Sequence, residues 1–99
     1  MATQFGDRVR ELRVKQNLLL RQIASKLEVD TSIISKIERG ERPIKKEQIP
    51  ILADILKVNI TELVTLWLSD KIIEVVNNEE TAVQSLELTI KRFKKKKFK

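Results

Sequence analysis

"VDTSIISKIERG", residues 29–40, sorts into two sides when it is wound as a helix from Asp30. At about 100° per residue, Ile33, Ile34 and Ile37 share one side, while Thr31, Ser32, Ser35, Lys36 and Arg39 fill the other. An ordinary surface helix carries many carboxylates and i,i+4 ion pairs on its wet side. This one carries short hydroxyls flanked by cations, and its acid, Glu38, stands at the border.

The residues just before it explain how such a helix is held. "LRQIASKL", residues 20–27, is a helix of about two turns with Ile23, Ala24 and Leu27 on one stripe. "EVD", residues 28–30, is a three-residue turn, with Asp30 as the expected cap of the next helix. Two short helices joined by such a turn form a helix-turn-helix pattern. Ala24 stands where the two helices cross closely, and Ile23, Leu27, Val29, Ile34 and Ile37 are expected to be buried. The free side of the second helix then suits a DNA major groove. Its hydroxyls let the backbone approach base edges, Lys36 reaches guanine or phosphate, and Ile33 meets a thymine methyl.

Further out, the periodicity predicts only helices. "TQFGDRVRELRVKQ", residues 3–16, places Phe5, Val9 and Leu12 in line, with Thr3 as N-cap and Asn17 as C-cap. Gly40 ends the central helix, and "GERP" is a loop. "KKEQIPILADILK" turns Ile49, Leu52, Ala53 and Leu56 inward, and Pro50 falls in its first turn, where a missing N–H is tolerated. "NITELVTLWLSDKIIEVVN" is long and very apolar, capped by Asn59 or Thr61. Asn77-Asn78 interrupts it, and "EETAVQSLELTIKRF" gives a last helix with Ala82, Val83, Leu86, Ile90 and Phe93 aligned.

Composition agrees with a small all-α protein. The chain has 99 residues, 41% hydrophobic and 34% charged, with two Gly and two Pro. It has no Cys, which excludes a disulfide framework and a thiolate metal site. No apolar run reaches the roughly 18 residues of a membrane span, and "MATQFGDRVRELR" lacks a signal-peptide core. The cytoplasm is the expected compartment, and no cofactor, metal or small-molecule ligand is expected. Charge is segregated more than the net +6 conveys. Residues 1–46 hold 11 Lys/Arg against 6 Asp/Glu, residues 47–90 hold 2 against 8, and "KRFKKKKFK" adds seven cations. A basic front points to a polyanion partner.

Residues 5–64 resemble the Cro and lambda-repressor-like family of helix-turn-helix regulators. The resemblance rests on "VRELR", "IASKLEVDTSIISKIERGER" and "LADILKVNITEL" at their spacing. It implies a compact five-helix bundle, here with a C-terminal helical extension. The expected organisation is a DNA-binding domain over 1–66, a helical extension over 67–93 that dimerises, and an unordered basic tail over 94–99. The resemblance further implies a partly buried ion pair between Arg13 and Glu38. It implies base contacts by Thr31, Ser32, Ile33 and Lys36, and phosphate contacts by Arg21, Ser35, Arg39, Arg42 and Lys45. Three positions depart from the family. Leu19 and Leu20 stand where it usually has a capping Ser or Thr and a DNA-contacting Gln, and Glu28 replaces the usual left-handed Gly.

Family members usually bind double-stranded DNA as two-fold dimers with half-sites about 34 Å apart. Leu66, Trp67, Ile72, Ile73 and Val76 are the expected homodimer contacts, because the last third offers more apolar surface than five helices bury, and the alternative is that the extension completes a monomer core. The basic tail reads equally as a phosphate-binding arm, a contact for an acidic partner or a solubilising end. With no His, Cys or Tyr and no glycine-rich phosphate loop, an enzyme is disfavoured. The resemblance therefore implies a transcriptional regulator of its own operon, such as a phage-type repressor or a restriction–modification controller. The alternative is an antitoxin-like protein-interaction module on the same scaffold.

Overall fold

The computed structural model describes residues 2–97 and holds only helices among them. They are α1 (Gln4–Lys15), α2 (Leu20–Leu27), α3 (Thr31–Glu38), a 3-10 turn (Lys46–Gln48), α4 (Ile49–Leu56), α5 (Ile60–Val76) and α6 (Ala82–Lys97). The first five helices make the expected bundle, and the expected extension takes in the second half of α5 and α6. α2 packs on α3 and α4, and α1 lies across α3 and α5, with α4 closing against α5.

The apolar stripes meet in one core of Phe5, Val9, Leu12, Ile23, Ala24, Leu27, Ile34, Ile37, Ile44, Ile49, Leu52, Ala53, Leu56 and Leu63. Ile23, Ile34, Ile49, Leu52, Leu56 and Leu63 are fully enclosed. Truncating any of these to Ala costs about 2–5 kcal/mol, the transfer term plus the cavity left behind.

The helix starts differ in how their free N–H groups are met. The Thr3 hydroxyl accepts from the Gly6 N–H at 2.9 Å, and the Asn59 side chain accepts from the Thr61 N–H at 2.8 Å. Leu19 has no oxygen to offer α2, but Gln22 reaches back and accepts the Leu19 N–H at 2.7 Å. That is one half of a capping box, and it offsets part of the missing cap. Asp30, the expected cap of α3, makes no side-chain bond to the helix although its backbone is extended as an N-cap's is. Its carboxylate still lies at the helix's positive end, where negative charge is favoured.

The first four helices all end with a residue in the left-handed region. Asn17, Glu28, Gly40 and Lys57 take φ between 55° and 75°. After α2, for example, the Val29 N–H donates to Ala24 O at 3.0 Å and the Glu28 N–H to Ser25 O at 3.2 Å. This doubly bonded ending turns the chain sharply and satisfies carbonyls that the helix leaves free.

The C-terminal third forms the two expected helices and differs from expectation at its basic end. α5 is the single long helix that the periodicity predicts, and Leu66 and Trp67, on either side of 66/67, pack against the same core as Leu63. Lys94 to Lys97, assigned to an unordered tail, continue α6. The aligned Leu86, Ile90 and Phe93 carry helical periodicity up to them, and cations at a helix C-terminus are favoured by its dipole. Phe98 and Lys99, the rest of that tail, lie outside the described residues. α6 is poorly covered. Ala82 and Leu86 are half-buried, and Val83, Leu88, Ile90 and Phe93 are exposed.

Candidate nucleic-acid interface

α3 is held from below so that its outer face stays free. Ile34 and Ile37 are buried in the core, and Glu38 beside them is buried although charged. The Arg13 guanidinium holds that carboxylate and also donates to Leu18 O. α1 approaches α3 closely at Gly6, where a Cβ would stand 2.6 Å from the carbonyl oxygens of both Ile37 and Glu38. A residue with any side chain cannot occupy that crossing without displacing backbone.

What remains outward is a compact polar arc. Thr31, Ser32, Lys36 and Arg39 are exposed, and Ile33 and Ser35 are half-buried at its edges. Ile33 packs on the core yet keeps an accessible edge, as a methyl contact requires. The residues expected to meet bases are therefore brought together on one helix face.

The expected phosphate contacts are more dispersed. Arg21 is exposed on α2, and Arg42 and Lys45 are exposed in the segment that follows α3. Arg39 is engaged by Glu41, with N···O distances of 3.0 and 3.2 Å. Both side chains are about half exposed, so this pair is weak and a phosphate can replace the carboxylate. Ser35 lines a cleft with Asp7, Arg10, Arg13, Leu20 and Arg39. Arg10 was not singled out from the sequence. It sits far from α3 along the chain and becomes the neighbour of Ser35 and Arg39 only because α1 packs on α3. Its place among the cations of the basic N-terminal part is the signal that the sequence offers for it.

The three departures noted in the sequence fall at this surface. Leu20 packs against the core, whereas Leu19 is 49% exposed beside the start of α2. Glu28 takes φ 57° at the turn and leaves its carboxylate exposed.

α5 is fastened to the start of α1. The Asp70 carboxylate accepts the Gln4 N–H at 3.1 Å and the Phe5 N–H at 2.9 Å, meeting two free donors of α1. Arg8 donates to Glu62 at 2.5 Å and also bonds Glu11. The Trp67 indole donates to Ile44 O at 3.3 Å, and the Lys71 ammonium lies 4.7 Å from the centre of its ring. The expected dimer contacts thus divide. Leu66 and Trp67 are half-buried against their own core, Val76 is half-buried, and Ile72 and Ile73 are exposed together with Leu68 and Val75. No helix among the described residues is long and apolar enough to cross a membrane.

With this geometry in place, the comparisons with known proteins are specific. The model of the helix-turn-helix family matches residues 9–63, from α1 to the buried Leu63 of α5. Among solved structures, the restriction-modification controller protein C.AhdI from Aeromonas hydrophila is 34% identical. The match covers 62% of this chain and 92% of that one, with a TM-score of 0.57. The clp gene regulator ClgR from Corynebacterium glutamicum is 18% identical over 90% of this chain and 84% of its own, with a TM-score of 0.58. A mutant of the restriction-modification controller protein C.Esp1396I is 18% identical over 80% of this chain and 100% of its own, with a TM-score of 0.51. At 18% identity the last two speak for the fold alone. No curated protein matches the chain by sequence.

Proposed function

The chain belongs to the helix-turn-helix family, and from that premise we propose that it binds an operator as a homodimer and regulates its own operon. Coarsely, it is a DNA-binding transcriptional regulator. The observation that carries the finer reading is the outer face of α3, where Thr31, Ser32 and Lys36 are exposed on a helix braced from beneath.

In this reading α3 enters the major groove. Thr31, Ser32 and Lys36 read base edges, and Ile33 contacts a thymine methyl. Arg21, Ser35, Arg39, Arg42 and Lys45, joined by Arg10, hold phosphates and set the register without specifying sequence. One such unit reads few base pairs, so a second copy is needed. Ile72 and Ile73 on the exposed side of α5 supply its contact, and the two α3 helices then address half-sites about 34 Å apart. Likeness to a restriction-modification controller protein supports a regulatory role for the chain. A DNA target also implies the cytoplasm as working compartment.

The test is binding to a duplex from the region upstream of its own gene, beside a scrambled duplex of equal length and composition. Near 150 mM salt, a preference of about 10³-fold or more is expected. Equal, weak binding to both would overturn self-regulation.

A further inference from the structure

The most concentrated positive charge of the chain lies outside the interface just described. Lys91, Arg92, Lys94, Lys95 and Lys96 follow one another in the second half of α6, and all are exposed. Among the described residues no carboxylate lies within ion-pairing distance of any of them, whereas Arg8, Arg13 and Arg39 each hold an acid. Lys91 with Lys95, and Arg92 with Lys96, are like charges at i,i+4, a spacing that destabilises a helix. The helix dipole offsets this only in the last turn. A bound polyanion relieves it throughout.

The placement of α6 favours DNA as that polyanion. α6 follows α5 after a short turn, and Lys71 and Glu74 near the end of α5 line one groove with Glu41, Arg42 and Pro43. Those three belong to the loop that leaves α3. The end of α5 from which α6 follows is therefore close to the loop that carries Arg42. From Lys91 to Lys96, α6 rises about 7.5 Å, a length that meets about two successive phosphates of one strand. Near its end, Thr89, Arg92, Phe93 and Lys96 border a shallow groove, a set of cations, hydroxyl and aromatic ring suited to a sugar-phosphate chain.

We propose that the basic end of α6 is a second, sequence-independent DNA-binding site that grips phosphates outside the bases addressed by α3. It rests on the DNA-binding reading of the chain, but it makes a different measurement move. Contacts by α3 set which sequence is preferred, whereas phosphate contacts set how steeply affinity falls with salt.

The experiment uses the full chain and a variant with Lys91, Arg92, Lys94, Lys95 and Lys96 all changed to Gln, a good helix former. Affinity for the upstream and the scrambled duplex is followed from about 50 to about 200 mM salt. The variant is expected to show a log–log salt slope shallower by about 2 or more on both duplexes. That is about 16-fold less loss of affinity across this range. Its preference between the two duplexes stays that of the parent. A control in which the four lysines become Arg keeps the charge and is expected to keep the parental slope. Equal slopes for parent and Gln variant would overturn the proposal, and so would loss of slope in the Arg control. A parent that shows no preference, with a Gln variant that still loses slope, would sink the operator reading and support this one. Equal DNA slopes combined with binding to phosphatidylserine vesicles that only the Gln variant loses would reassign the patch to a membrane surface.

Discussion

Arg13 holds Glu38 through two parallel hydrogen bonds, Nε to Oε2 at 2.6 Å and Nη2 to Oε1 at 3.1 Å. A third donor of the same guanidinium reaches Leu18 O at 3.1 Å, so one side chain ties the end of α1 to the turn after it and to α3. The two side chains are 15% and 5% exposed, which leaves little solvent to replace either partner. Arg13→Ala or Glu38→Ala is expected to cost about 3–5 kcal/mol, because each strands the other charge. The double replacement Arg13→Met with Glu38→Leu is expected to cost much less than the two single losses together. Urea denaturation of all three variants decides it, and strictly additive losses would refute a coupled pair.

Gly6 is expected to reject the smallest side chain. Alanine is the better helix former by about 1 kcal/mol, so propensity alone predicts that Gly6→Ala stabilises. A Cβ 2.6 Å from two backbone oxygens of α3 predicts the opposite. Forcing the helices apart is expected to lower stability by about 1–3 kcal/mol. A rise in thermal midpoint would show that α1 and α3 are not in this close contact.

Glu28→Gly is expected to raise stability by about 0.5–1 kcal/mol. The position has φ 57°, where a Cβ is strained, while glycine loses part of that gain to a more flexible unfolded chain. The same change removes an exposed carboxylate from the helix-turn-helix surface and is expected to tighten DNA binding. Chemical denaturation and duplex titration test the two halves separately, and a destabilised variant would contradict the first.

Lys36→Ala and Arg42→Ala are expected to fail in different ways. Lys36→Ala should narrow the gap between the upstream and the scrambled duplex. Arg42→Ala should weaken both alike and reduce the salt slope by about 1. Parallel anisotropy titrations across salt read both effects. An equal fall on every duplex for both variants would refute the division into base and phosphate contacts.

Ile73→Glu and Trp67→Ala separate self-association from folding. Ile73 is 54% exposed, so Glu there is expected to leave the fold intact and shift a dimer to monomer at tens of micromolar. Trp67 packs on its own core and bonds Ile44 O, so Trp67→Ala is expected to cost about 2 kcal/mol or more of stability. Analytical ultracentrifugation of Ile73→Glu is the deciding measurement, and an undiminished dimer would move the interface away from this face of α5.

Much of the fold was legible because helical periodicity is a local property. The stripes Phe5–Val9–Leu12, Ile23–Ala24–Leu27 and Ile49–Leu52–Ala53–Leu56 each announce one buried face, and each is buried. The polar face of α3 was legible for the same reason. Capping was less so. Asn59 and Thr3 cap as their types predict, but Asp30 does not, and Gln22 supplies what Leu19 lacks. A side chain's reach to a free N–H depends on rotamer and neighbours, which residue type alone leaves open.

By itself, then, the sequence determined the helical class, the helix-turn-helix pattern and which face of each short helix turns inward, because these follow from residue spacing within single elements. Tertiary structure alone decided what lies across elements. It brought Arg10 to Ser35 and Arg39, set Gly6 against the carbonyls of Ile37 and Glu38, and placed Asp70 over the first N–H groups of α1. It also drew Leu66 and Trp67 into their own core while leaving Ile72 and Ile73 outside. An apolar residue in a long helix reads the same whether its partner is its own chain or another. Only the packing of α5 against α1 and α4 uses up one side of that helix and leaves the other free.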